Sequence, residues 1–437
     1  VEKPGVAGKV AQLPEVRIKL TKRAESRLDT GMRWVGGIAG GVLGILVVGG
    51  CGERRSGAGV APVSPPESVR ANGFDPLVGR AVVATYARLV FATYSDSLSE
   101  ARKLDMALQT LVADPTEANL AAAREAWKRA RVPYMQSEAF RFSDGPIDRD
   151  RGAVEGLLNA WPMDEAYVDY VEGAPEAGII NMPGEYPEIT KELLASLNER
   201  DGEANISTGY HAIEFLLWGQ DLSADGPGAR PVHDYQPGVG KNAARRAKYL
   251  LLTSEMLVEH LAGLVREWDP TAGKNYCEEF LAAPVEESVK KIFMGVVTLS
   301  QHEVPGERLG AAYATRGQED EQSCFSDTTH VDMILDVRGI RNVITGQYAE
   351  TTAVSGTGLG ELIAKANPEL GAKVMATIDR ALAAAEGIPV PFDQAILGDS
   401  DKLPGRLAVA RLIDDIRYAA QALDESAIMF GMEVPQS

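Results

Sequence analysis

Apolar residues recur at helical spacing over most of this 437-residue chain, while alternating runs of Val, Ile and Thr are scarce. That pairing constrains the fold more than any other feature. A 3.6-residue period covers one face of a helix and cannot line one face of a sheet. Val82, Val83, Tyr86, Leu89, Val90 and Tyr94 make one such stripe within 75–113. Further helices are predicted over 116–140, 187–198, 207–218, 241–268, 276–315, 368–386 and 402–432, and only 331–343 has the look of a strand. The expected fold is all-α, built from packed helical bundles.

A repeat suggests how the bundles divide. The run from Glu138 through Phe142, Ser143 and Asp144 matches the run from Glu321 through Phe325, Ser326 and Asp327, an offset of 183. At the same offset Val154, Gly156 and Asn159 match Val337, Gly339 and Asn342. Duplication would give an N-terminal bundle over 76–225 and a C-terminal bundle over 241–437, joined by a Gly/Pro-rich segment. Loop chemistry shared by two helical hairpins is the alternative source of the match.

The N-terminal region reads as an address. Residues 35–50 carry no charge over sixteen positions, follow the basic Arg33, and end at Cys51. The stretch is short and Gly-rich for a membrane-spanning helix, which favours a secretory signal. Val48-Gly49-Gly50-Cys51 has the form of a bacterial lipobox, with lipidation at Cys51 tying the protein to a membrane; a plain anchor helix is the competing reading. Residues 1–31 are then an upstream extension ahead of a start at Met32, 32–51 the signal, and 52–75 a flexible linker.

Lys and Arg total 44 against 62 Asp and Glu, a formal charge of −18. Without residues 1–50 the balance is 36 against 58, or −22. Nucleic acid is excluded as a partner, since a polyphosphate needs a basic footprint. Cations stay open as ligands.

The clearest chemical candidates are His211 and Glu214, at i and i+3 on the predicted helix after Gly209, with Thr208 placed to cap it. Imidazole and carboxylate together suit iron, zinc or manganese; a helix-end histidine bonded to a neighbouring carboxylate is the structural alternative. Glu138, Arg141, Asp144 and Glu155 surround the first Gly-Pro loop, and could complete an oxygen-rich site or form salt bridges. In the second half Glu321, Asp327, His330 and Asp332 make another group of hard donors, or a solvated helix end. Zinc-peptidase helices carry two histidines, but here Ala212 and Phe215 flank the motif, and no Gly-x-Ser-x-Gly elbow occurs. Cys277 and Cys324 either pair or remain buried thiols.

Taken together, residues 125–148, 155–165, 209–221 and 318–330 resemble, in that order, the imelysin family, whose signature Gly-x-His-x-x-Glu falls in 209–221. The family is named for an insulin-cleaving membrane protease, and 318–330 is similar to its iron-regulated protein A branch. The resemblance implies two helical bundles with His211 and Glu214 near their interface. It also implies a bacterial envelope location, periplasmic or surface-exposed, and a link to iron-uptake machinery. Thr328 stands where that branch leads one to expect Asn. The leading expectation is a lipoprotein binding a transition metal, iron or an iron chelate ahead of zinc or copper, through His211, Glu214 and Glu138. A metallopeptidase, with Glu214 as ligand or base, and a non-catalytic protein gripping a partner in the interdomain groove are the alternatives.

Overall fold

The computed structural model describes residues 73–149 and 153–434. The upstream extension, the signal with Cys51, and most of the expected linker lie outside the described residues. The long helices are α1 (Pro76–Ala113), α2 (Glu117–Gln136), then, after the short α3 (Glu155–Leu158), α4 (Glu165–Val168) and α5 (Lys191–Leu197), α6 (Gly209–Trp218) and α7 (Ala243–Trp268). There follow α8 (Tyr276–Ala282), α9 (Val285–Thr298), α10 (Gly310–Thr315), α11 (Thr329–Thr345), α12 (Leu359–Ala366), α13 (Pro368–Glu386), α14 (Phe392–Ile396) and α15 (Pro404–Met429). One small antiparallel pair, β1 (Gln347–Tyr348) with β2 (Val354–Ser355), is the strand content of the named elements. The fold is all-α, as the periodicity predicts.

Helix α1 starts where its sequence says it must. The Asp75 carboxylate accepts from the amides of Leu77 and Val78, at 2.9 and 3.3 Å, and Pro76 opens the first turn. The predicted stripe from Val82 to Tyr94 is buried. Helix α1 packs against α2 from the first half of the chain and against α7, α9 and α12 from the second. The described residues belong to one compact unit. None of their helices is long and apolar enough to cross a membrane.

Two segments depart from the sequence reading. The expected continuous helix over 276–315 is cut at Ala283-Pro284 and passes through a π-helical stretch, Leu299–Arg308, that contains Pro305. Proline lacks the amide and crowds the preceding turn, so the regular ladder cannot run through it. The strand-like 331–343 is helix: Met333, Asp336, Val337 and Ile340 are buried at three- and four-residue spacing along α11. Helix α11 also crosses α2 closely at Gly339, where a Cβ would stand 2.3 Å from the carbonyl oxygen of Gln136. That approach brings the α11 carboxylates toward α2. The repeated blocks share one backbone feature, an aspartate at φ 55° in Asp144 and in Asp327, a conformation that Asp tolerates better than most residues.

Candidate buried histidine–carboxylate site

All ten residues of α6 are buried. Its entry depends on Gly209, at φ 82°, where a Cβ would lie 2.5 Å from the Leu158 carbonyl oxygen. Thr208 occupies the cap position, but its hydroxyl donates to the Leu157 carbonyl at 3.2 Å and gives the helix no side-chain cap. At the other end Arg124 donates to the Leu217 carbonyl at 3.0 and 2.9 Å, and the Tyr235 hydroxyl donates to that of Leu216 at 2.6 Å. These donors satisfy helix-end carbonyls that would otherwise be orphaned. The Trp127 indole donates to the Tyr210 carbonyl at 2.9 Å and fixes α6 against α2.

On this clamped helix His211 Nδ1 lies 2.9 Å from Glu214 Oε2, with the two residues 1% and 0% exposed. Glu214 Oε1 accepts from the Ser326 amide at 3.0 Å and the Ser326 hydroxyl at 2.6 Å. Burial, reinforced by the nearby Arg131 guanidinium, pushes the imidazole down to about 3, so it is neutral. Burial likewise pushes Glu214 up to about 8. The other ring nitrogen, Nε2, is buried without a hydrogen-bond partner.

A buried ionic network borders the pair. Arg131 bonds Asn159 and meets Asp332 at 2.7 Å, and Asp332 also accepts from the Ser323 hydroxyl at 2.5 Å. Arg308 meets Glu138 at 2.5 Å and Asp336 at 2.9 Å. Burial alone would raise Glu138, but Arg308 and Arg141 outweigh it and hold its carboxyl below the ordinary value. Arg141 is shared among Glu138, Asp148 and Glu155, at 3.2, 3.3 and 3.0 Å. One oxygen each of Asp332 and Asp336 remains buried and unpartnered. A cavity of about 220 Å³, lined by Arg141, Glu155, Asn159, Glu303, Arg308 and Gln322, reaches this network from outside.

The structure therefore joins His211 to Glu214 directly and sets Glu138, Arg141 and Glu155 in the adjoining network. Asp144 stands apart, exposed and 4.0 Å from Lys291. Glu321 and Asp327 belong to a different acidic group with Asp221 and Asp393. Burial pushes Glu321 up to about 11 and Asp327 up to about 8. His330 is partly buried with Nδ1 unpartnered. Cys277 and Cys324 are free buried thiols. Sequence reasoning missed Arg131, Arg308, Asn159, Ser326 and Asp336. Arg308 carries no local signal, whereas Arg131, Asn159 and Ser326 lie in blocks already singled out without a role being assigned to them.

The donor set fits a bound metal only in part. A metal-ligating histidine usually gives its second ring nitrogen to a carboxylate, and His211 has that arrangement, with Nε2 left over. Both oxygens of Glu214 are already engaged. Among the described residues the group of three metal-capable side chains with converging atoms is Asp221, Asp327 and Asp393, not one containing His211.

Comparisons with known proteins agree with this architecture. The family model for imelysin, a peptidase family, matches residues 90–423. A similar curated protein is iron-regulated protein A of Synechococcus elongatus, 26% identical over 341 residues, covering 75% of this chain and 82% of that protein. A similar solved structure is that of an iron-regulated protein A precursor from Parabacteroides distasonis. It has a TM-score of 0.64 at 20% identity and covers 82% of this chain and 96% of that one. That likeness concerns the fold.

Proposed function

Since the chain belongs to the imelysin family, we propose that it is an iron-related protein of the bacterial cell envelope. In this reading it takes up a transition metal, iron or an iron chelate, with His211 supplying one nitrogen. The observation that carries it is the buried, unpartnered Nε2 of an imidazole whose other nitrogen is held by Glu214. A neutral ring so oriented is the form that ligates. The iron-regulated name of the cyanobacterial relative favours iron over zinc or copper.

One nitrogen does not make a closed site, so a metal held here brings other donors with it, and this favours a chelate over a bare ion. Attachment to the membrane through Cys51 and delivery to iron-uptake machinery complete the proposal. Titration calorimetry with ferric citrate, and with zinc and copper salts, tests it. Stoichiometric binding of ferric citrate that His211→Ala abolishes is expected. Absence of binding, or binding indifferent to that change, refutes it. No observation favours peptidase chemistry: Ser326 and His211 occupy both oxygens that a general base at Glu214 would need.

A further inference from the structure

We propose that Asp221, Glu321, Asp327 and Asp393 form a calcium site, separate from His211, that pins the turn after α6, the 321–328 loop and α14 to one another. The four carboxylates are 4%, 0%, 8% and 1% exposed. Oxygens of Asp221, Asp327 and Asp393 lie within 4.8 Å of one another, twice the Ca–O distance of about 2.4 Å. Glu321 faces Asp393, and Asp221 faces Asp327.

Acidic residues gathered at a surface would need no explanation, but these are buried and lack partners. Asp221 Oδ2, Asp327 Oδ1, and both oxygens of Glu321 and of Asp393 accept no hydrogen bond of good geometry among the described residues, with Thr329 beside Glu321 and Gln318 beside Asp221 as the neighbouring donors. The other oxygen of Asp221 accepts from the Ser223 amide at 3.0 Å. Buried carboxylates facing one another need a cation or shared protons to offset their repulsion. Oxygen-only donors select a hard cation over iron(II), zinc or copper. Three converging aspartate oxygens, with Glu321 beside Asp393, suit calcium, whose flexible shell takes carboxylates singly or in pairs, better than magnesium, which demands a near-ideal octahedron and keeps most of its waters.

The consequence reaches the histidine site through one peptide link. Asp327 follows Ser326, whose amide and hydroxyl hold Glu214. A bound ion would therefore fix the loop that orients the His211 pair.

Calorimetry and thermal melts of the metal-stripped full chain with CaCl2, and separately MgCl2, test the site. Calcium is expected to bind one-to-one, at least tenfold tighter than magnesium, and to raise the melting midpoint by about 3 °C at a hundredfold excess over Kd. Asp393→Asn and Glu321→Gln should each weaken calcium at least tenfold. Asp393→Asn relieves repulsion in the cluster and Glu321→Gln mimics the acid already protonated without calcium, so their calcium-free midpoints should hold or rise, which keeps misfolding from explaining the loss. His211→Gln should leave calcium affinity within twofold, so a failure of the iron reading would not disturb this one. No calcium binding at about 10 mM, above the weakest range of extracellular calcium modules, would overturn the proposal. Equal preference for magnesium, or binding unchanged in both cluster variants, would do so as well.

Discussion

Ser326 donates both its amide and its hydroxyl to Glu214 Oε1, at 3.0 and 2.6 Å, across 112 residues of sequence. The contact joins the loop before α11 to α6 and leaves Glu214 one oxygen, which it gives to His211. Ser326→Ala removes the shorter bond and keeps the backbone one. With its carboxyl pushed up to about 8, Glu214 is mostly neutral at pH 7, and a hydrogen bond between neutral groups contributes about 0.5–1.5 kcal/mol, so a loss in that range is expected from urea denaturation. Ferric citrate affinity should fall as well, although His211 is untouched. A variant as stable as wild type that binds as well would detach Ser326 from the site.

The Arg131–Asp332 pair is 2.7 Å long and almost wholly buried, at 2% and 1% side-chain exposure. Arg131→Met leaves Asp332 charged with only the Ser323 hydroxyl, and should cost about 3–5 kcal/mol. Adding Asp332→Leu removes the stranded charge and should restore much of that loss. If the double variant were less stable than the sum of the singles, the pair would not be acting as an isolated ionic unit.

How much of this was written in the sequence depends on range. The i, i+3 placement of His211 and Glu214 follows from helical geometry alone, as does the start of α1 at Asp75 and Pro76. The all-α fold follows from periodicity that 331–343 only briefly obscures, since its Val and Ile residues also fit a helix. Nothing local announces that Arg131 and Arg308 would be buried. An arginine in a charged helix usually points to water, and it is a tertiary partner, Asp332 on α11, that holds Arg131 inside. Asp393 sits in a five-residue helix far along the chain from Asp221, so their meeting is purely tertiary. The two cysteines show the same limit: spacing left pairing open, and packing buried them separately.

Gly209 tests whether the entry to α6 is fixed by backbone contact. At φ 82° any L residue is strained, and the added Cβ would meet the Leu158 carbonyl oxygen at 2.5 Å. Strain of this kind costs about 1–3 kcal/mol before any clash is counted. Gly209→Ala should therefore lower the melting midpoint clearly, with loss of ferric citrate binding if α6 shifts. Gly184→Ala is the control, because a Cβ there meets nothing within 4 Å and φ is not positive. Equal effects of the two changes would remove the steric argument.

Glu155 offers a test by pH. It lies 3.0 Å from Arg141, yet its carboxyl is pushed up to about 7 from 4.5. Burial is the largest cause; Arg141 opposes it, and Glu138 and Asp148, which share that guanidinium, raise it further. Arg308 lowers it slightly, and Glu199, Glu303 and Glu307 line the same cavity. Because the folded value is raised, the folded chain binds the proton more tightly than the unfolded chain. The stabilisation is complete below about 4.5, declines as pH rises, and is gone above about 7, at ~1.4 kcal/mol per unit and about 3 kcal/mol in all. Glu155→Gln mimics the neutral acid and should lack this slope. The stability of Glu155→Gln relative to wild type should then climb between pH 4.5 and 7 and level off above. Other titrating groups are common to both proteins and largely cancel. A difference that falls over that interval would mean the ion pair with Arg141 outweighs burial.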